Sequence, residues 1–200
     1  MENSSRALFI AAGVILGVLL LSIMIYVFRQ GARVNEAYEQ KQITNQLELY
    51  NARFEAYDRN NNNIMDIISL ANLAYDTNSA CGFDTSVAVA INLKIAGKTF
   101  KIPKTKLSGR NIIQNYSGNE ISIYNLTELT FDQLGISNVS LLGTKARKED
   151  KLSTAKLVDG KTIYKYLFKV VSQNDFKYYT HSLKVSEITL KAYIEDSALW

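Results

Sequence analysis

The segment from Ala7 to Phe28, ALFIAAGVILGVLLLSIMIYVF, is a run of 22 residues without a charged side chain. As an α-helix it would be about 33 Å long, enough to cross a hydrocarbon core of about 30 Å. A cleaved signal peptide has a shorter apolar region, about 7–15 residues, and ends in a small-x-small site, which Arg29–Arg33 lacks. The sequence therefore predicts a retained single-pass transmembrane helix over residues 7–28, after a polar tail over residues 1–6.

Two sequence features give opposite orientations for this helix. The positive-inside rule sets Arg6 and the amino terminus against Arg29, Arg33 and Lys41, which favours a cytoplasmic body. The single Cys and a body rich in Asn, Tyr, Ser and Thr are typical of a chain outside a reducing compartment. We expect a membrane protein whose C-terminal domain is extracytoplasmic, although the charge rule indicates the reverse.

Within the apolar segment, Gly13 and Gly17 form a GxxxG pattern. Two glycines one helical turn apart let a second helix approach closely, and packing of this kind drives association in lipid. We therefore expect a contact face for copies of the chain or for related membrane subunits. The alternative is that glycine is simply common in membrane helices.

Helix-forming residues continue beyond the membrane segment. Residues 29–58 contain no Pro and one Gly, and apolar side chains recur every three or four positions at Ile43, Leu47, Tyr50, Phe54 and Tyr57. This spacing predicts that the helix extends to Asp58 as an amphipathic helix with one apolar stripe. The stripe would pack either on the downstream domain of the same chain or against neighbouring copies.

An asparagine run predicts the end of this helix and the start of another within residues 59–80. Asn60–Asn63 favours a break, and a second helix from Ile64 to Tyr75 would have Asn63 as its N-cap and Asp66 at its third position. Four residues also match calcium-loop positions, namely Asp58, Asn60, Asn62 and Asp66. The Gly and bidentate Glu of such a loop are missing, so we predict a turn and no metal site.

The hydrophobic period changes to two in residues 81–200. Val87–Ile95 alternates apolar and other residues, Ala96-Gly97 would turn the chain, and Thr99–Ile102 would return as its partner. Asp159-Gly160 predicts a second hairpin, and a further one is expected around Gln173–Asp175. The sequence thus predicts an α+β protein: the long N-terminal helix, a short second helix and an antiparallel β-rich domain.

Positive charge is concentrated in the β-rich region, which has a net charge of +6, whereas residues 29–80 have −2. The bias is strongest between residues 94 and 110, which carry Lys94, Lys98, Lys101, Lys104, Lys106 and Arg110. Such a stretch is a candidate binding site for a polyanion. The alternative is a solvated hairpin edge whose charge prevents pairing with other strands.

The sequence offers no recognisable catalytic group. His181 is the one histidine, Cys81 is the one cysteine, and Ser153–Lys156 spells S-x-x-K without the companion motifs of serine acyl-enzymes. No phosphate loop or dinucleotide fingerprint occurs. We therefore expect a non-enzymatic protein without a cofactor, a metal site or catalytic residues, and we consider nucleic acid an unfavoured partner.

In its layout, the chain resembles type IV pilins and pseudopilins: a retained N-terminal membrane helix continues as an amphipathic helix and leads into a β-rich body. The resemblance implies a subunit of a surface filament or secretion assembly. The family's leader-cleavage motif and its glutamate at the fifth mature position have no match in Met1–Arg6. The alternative function is a membrane-tethered binding module whose basic hairpin binds a polyanion or a partner protein.

Overall fold

The computed structural model describes residues 2–153, 156–158 and 162–198, and these residues form an α+β structure. Helix α1 runs from Glu2 to Glu55 and helix α2 from Ile64 to Ala80. The short helix α3 spans Asn125–Glu128, and 3₁₀ turns cover Val139–Leu141 and Gln173–Asp175. The predicted class, with a long N-terminal helix followed by a shorter one and a sheet, is confirmed. The first helix ends slightly before the predicted Asp58.

Eight strands lie within the described residues: β1 (Ala90–Ile95), β2 (Lys98–Ile102), β3 (Ile112–Gln114), β4 (Glu120–Ser122), β5 (Lys156–Val158), β6 (Thr162–Lys169), β7 (Phe176–Tyr178) and β8 (Val185–Ala198). They form one sheet in the order β4-β3-β2-β1-β8-β6-β5, with β7 also paired to β8. Neighbours are antiparallel except β1 and β8, which are parallel. The prediction of an antiparallel domain is therefore wrong at the centre of the sheet, because side-chain alternation carries no information about strand direction.

The first hairpin follows the sequence prediction closely. Ala96 and Gly97 have φ angles of 47° and 81°, so both turn residues adopt the left-handed conformation that a tight two-residue hairpin requires. The inward apolar side chains of the two strands are buried. The predicted Asp159-Gly160 turn lies outside the described residues, but its flanking strands pair antiparallel, with Val158 opposite Thr162.

The hairpin expected around Gln173–Asp175 is wrong. Strands β6 and β7 do not pair with each other, because both pair with the same edge of β8, with Lys169 opposite Lys191 and Phe176 opposite Ile188. Residues 170–175 are therefore a large bulge between two strands that run in the same direction. Within it, the Asp175 carboxylate accepts hydrogen bonds from the Ser172 amide and hydroxyl at 3.1 and 3.2 Å.

The chain divides into two compact units between Leu49 and Tyr50. The second unit has a core formed by α2, the last turns of α1 and one face of the sheet. Helix α2 begins with the predicted capping box, in which the Asn63 side chain accepts from the Met65 and Asp66 amides while Asp66 accepts from the Asn63 amide. The apolar face of α2 is buried. Phe54, near the end of α1, is also buried in this core, with only 1% of its surface exposed.

Three asparagine side chains connect the helical segments to the sheet by imitating backbone pairing. Asn51 donates to the Leu183 carbonyl at 2.9 Å and accepts from the Val185 amide at 3.0 Å. The buried Asn78 makes the same two-way contact with Val89, at 2.8 and 2.7 Å. Asn62 donates to the Phe168 carbonyl while their backbones form an isolated bridge. At the buried Asn78 the contact satisfies both peptide groups of Val89, which lie away from water.

Truncating Phe54→Ala should lower the free energy of unfolding by about 3–5 kcal/mol, because the ring lies in the core of the second unit. The matched control is Ile43→Ala, a change on the same predicted stripe at a side chain that is 66% exposed. It should change stability by less than about 0.5 kcal/mol. Chemical denaturation of the full chain in detergent micelles, followed by circular dichroism, measures both. Equal effects would contradict the placement of Phe54.

Candidate functional site

The two faces of the central strands differ in chemistry. On β1 and β8, alternate side chains such as Leu93 and Leu190 are buried in the core. The side chains between them form the opposite, outer face, which carries Asn92, Lys94, Thr189 and Lys191. Lys101 of β2 lies opposite Asn92 and belongs to the same face. The lysines are exposed, whereas Thr189 lies almost fully buried between them. The exposed side chains of the outer face are therefore basic, and the buried Thr189 beneath them is polar but uncharged.

Strand register places three lysines side by side on this outer face. Lys94 of β1 lies opposite Lys191 of β8, and Lys191 lies opposite Lys169 of β6 on its other edge. Because neighbouring strands are about 4.8 Å apart, the three lysines form one continuous row across the sheet. We call Lys94, Lys191 and Lys169 the lysine row. Lys94 and Lys191 make no ion pair within the described residues, whereas the Lys169 ammonium lies 4.6 Å from the Tyr193 ring centroid.

Two adjoining grooves border the lysine row. The first has a volume of about 400 Å³ and is lined by Lys94, Lys191, Thr189 and Asp175 together with the apolar Leu141 and Val171. The second, of about 470 Å³, is lined by Lys94, Lys101, Lys104, Lys177, Asn92 and Glu187, among others. Lys94, Thr189 and Asp175 belong to both grooves. The grooves thus form one basic surface centred on Lys94.

The two carboxylates in these grooves are already engaged. Glu187 forms an ion pair with Lys177 at 3.1 Å and accepts a hydrogen bond from the side-chain amide of Asn92 at 3.0 Å. Asp175 accepts from Ser172 within the bulge. Lys104 is also held in place, since its ammonium donates to the Tyr179 hydroxyl at 2.7 Å and lies 4.4 Å from that ring's centroid. Lys94, Lys101 and Lys191 form no ion pair among the described residues, and Asp175 is the carboxylate of these grooves that pairs with no lysine.

Like charges placed directly opposite each other on adjacent strands destabilise a sheet. The row from Lys169 to Lys94 repeats this unfavourable arrangement twice, and the described residues supply no acid between the members. An anion seated in the grooves would relieve the repulsion while being held by several ammonium groups. The arrangement can therefore bind an anion.

The structure divides the basic run predicted from the sequence. Lys94, Lys101 and Lys104 line the grooves. Lys98 pairs in register with Ile95, on the inward side of the hairpin, and its ammonium lies 4.3 Å from the Tyr116 ring centroid. Lys106 is exposed in the loop after β2. Arg110 forms an ion pair with Asp76 of α2. The run therefore does not form a single patch.

Sequence reasoning missed the partners of Lys94. Lys169, Lys177 and Lys191 lie far along the chain and reach the outer face only through pairing with β8. The signal available in the sequence was the alternation Ile188, Leu190, Ala192, which sets Lys191 on the polar face of its strand. That alternation shows which face of its strand carries Lys191. It does not show which residues of other strands lie beside Lys191, because that depends on which strands pair.

The predicted helix-packing residues fall into three groups. Around Gly13 and Gly17, an added side chain would meet no atom within 4 Å, so their helix surface is open. Ile43 is exposed and Leu47 is partly exposed. Tyr50, Phe54 and Tyr57 belong to the second unit and pack on its core. The final part of the stripe thus serves the chain's own domain.

The remaining candidate residues are occupied or isolated. Asn62 and Asp66, from the calcium-like pattern, both bond to Arg59. Cys81 is half-buried and its thiol contacts the Asn78 carbonyl, whereas His181 is exposed. Part of the S-x-x-K sequence, Thr154 and Ala155, lies outside the described residues. Among the residues that are described, no group of three or more His, Cys, Asp or Glu side chains could hold a metal ion.

A further cavity of about 490 Å³ lies beside Tyr50 and Cys81, with Arg53, Asp76 and Lys184 in its lining. The Tyr50 hydroxyl is buried without a hydrogen-bond partner, and burial raises the pKa of this tyrosine to about 12. The phenol therefore stays protonated across the neutral range and offers no base. Charges of both signs line this cavity, with Arg53 and Lys184 beside Asp76.

The chain was compared with protein-family models, with curated proteins and with solved structures, and nothing matched.

Replacing Lys191→Gln should raise the free energy of unfolding by about 0.5 kcal/mol at low salt, because it removes the middle charge of the lysine row. The gain should shrink at about 1 M salt, where the Debye length is only about 3 Å. Lys106→Gln, an equal charge change in a loop, is the control. Urea denaturation of the full chain in micelles measures both, and a destabilised Lys191→Gln variant would contradict the repulsive row.

Proposed function

We propose that this chain is a non-enzymatic, single-pass membrane protein that acts as a pilin-like subunit of a surface filament or secretion assembly. Its membrane helix would anchor it in the lipid bilayer and pack against copies of the chain or related membrane subunits. The C-terminal domain would lie outside the cytoplasm. The observation that carries the proposal is the uncharged, apolar helix segment over residues 7–28, which is long enough to cross a membrane.

The exposure of this segment supports a membrane environment. Helix α1 contains the one segment within the described residues that is long and apolar enough to cross a membrane, and none of that segment is buried inside the protein. Large side chains such as Leu16, Leu20 and Met24 are 57–64% exposed. A soluble protein would not leave so many neighbouring apolar side chains in water, whereas lipid or other membrane helices would cover them.

The open surface at Gly13 and Gly17 supports association within the membrane. Both glycines lie on one side of the helix, and the space above them is empty in the isolated chain. Lipid tails cover leucine as well as another helix does, so specific association depends on close packing at small residues. Ile43, exposed on the same helix beyond the membrane segment, offers a further apolar contact for a neighbouring subunit.

Crosslinking of the full chain in native membranes tests the assembly. Wild type should give ladders of oligomers, and Gly13→Leu with Gly17→Leu should lose most of them, because leucine side chains at these positions would prevent the close approach of a second helix. Ala11→Leu is the matched control, because Ala11 projects about 140° away from the two glycines and gains similar bulk.

Ladders that persist unchanged in the glycine double variant would contradict the proposed contact face. A wild-type chain that crosslinks only as a monomer would contradict the assembly role itself. Loss of the ladders in the Ala11→Leu control as well would show that bulk anywhere on the helix interferes, and would equally overturn the assignment to Gly13 and Gly17.

A further inference from the structure

We propose that the outer face of the sheet binds a flexible, linear phosphate polymer across Lys94, Lys101 and Lys191. These three lysines form no ion pair among the described residues, and they surround two grooves that share Lys94, Thr189 and Asp175. Lysines outnumber carboxylates in the lining of both grooves, so the surface is basic overall. The site is independent of the membrane contact at Gly13 and Gly17, so either proposal can fail without the other.

The dimensions of the site favour a chain of charges over a single ion. Lys101, Lys94 and Lys191 stand on three successive strands, so the site extends over about 10 Å at the sheet surface. Lys169 extends the row by one more strand. One phosphate group would satisfy part of this surface, whereas a polymer with a phosphate in every repeat would meet each lysine in turn and release its counterions.

The hydrogen-bonding groups of the site favour phosphate over an acidic peptide. The grooves offer hydrogen-bond donors, namely lysine ammonium groups and the Thr189 hydroxyl. The oxygen of this hydroxyl accepts a long hydrogen bond of 3.5 Å from the Asn92 side chain, and its hydrogen can still be donated to a ligand. A peptide would bring N–H donors as well, and the two carboxylates nearby already accept hydrogen bonds at one oxygen each, Oε1 of Glu187 and Oδ2 of Asp175. The backbones of β1 and β8 are paired on both edges, so no strand can be added there.

The same surface disfavours nucleic acid. Single-stranded nucleic acids bind by stacking bases on exposed aromatic rings. The rings nearest the lysines, Tyr179 and Tyr193, are each covered by a lysine ammonium, from Lys104 and Lys169 respectively. No aromatic side chain is among the described lining residues of the two grooves. Lysine, a point charge without a planar fork, suits flexible phosphates whose geometry varies.

The test uses the full chain in neutral detergent micelles, titrated with labelled linear polyphosphate long enough to cross the face. Binding should weaken between about 50 mM and 200 mM salt with a log–log slope of about 2, as expected for three lysine–phosphate contacts. Lys94→Gln with Lys191→Gln should weaken binding about 25-fold, at about fivefold per lysine, and lower the slope by about 0.7 per lysine.

The matched control is Lys98→Gln with Lys106→Gln, which removes the same charge from positions off the outer face. It should bind within about twofold of wild type. Equal loss in both double variants would overturn the site and indicate attraction by net charge alone. Orthophosphate that competes as well per phosphate as the polymer would overturn the polymer assignment. Tighter binding of polyglutamate, an oligonucleotide or anionic vesicles would overturn the ligand class.

Discussion

The parallel pairing of β1 with β8 is the contact on which the domain and its candidate site both depend. It joins Asn92 to Thr189 and Lys94 to Lys191, residues that are separated by almost half of the chain. Through this pairing, the β1–β2 hairpin and the C-terminal strands become one sheet with a shared core and a shared outer face. Any shift of this register by one residue would exchange the two faces, so burial of Leu93 and Leu190 also fixes the lysine row.

The lysine row is expected to carry a stability cost, which would accompany the proposed binding surface. Three cations in adjacent register repel one another, and the nearby carboxylates are committed to Lys177, Asn92 and Ser172. The domain tolerates this because its inner face is well packed and because asparagines at positions 51, 62 and 78 connect the helical segments to the strands. An arrangement that is unfavourable by itself and favourable with an anion is typical of a binding site.

Local sequence patterns predicted local structure correctly, but they did not predict which strands pair when those strands are distant in the sequence. The capping box at Asn63 and the Ala96-Gly97 turn depend on neighbours within a few residues, so the sequence revealed them. The parallel partner of β1 and the bulge at residues 170–175 depend on which strands meet, and alternation leaves that open. For the same reason the basic run predicted as one patch is divided between two faces, and Lys191 was not foreseen.

A cysteine pair tests the central register directly, in a full chain carrying Cys81→Ser. Lys94→Cys with Lys191→Cys should form a disulfide readily, because neighbouring strands lie about 4.8 Å apart and disulfides join Cα atoms about 4.4–6.8 Å apart. Lys101→Cys with Lys191→Cys, two strands apart at about 10 Å, should remain reduced under the same oxidation. Crosslinking of the second pair in preference to the first would contradict the β1–β8 pairing and, with it, the lysine row.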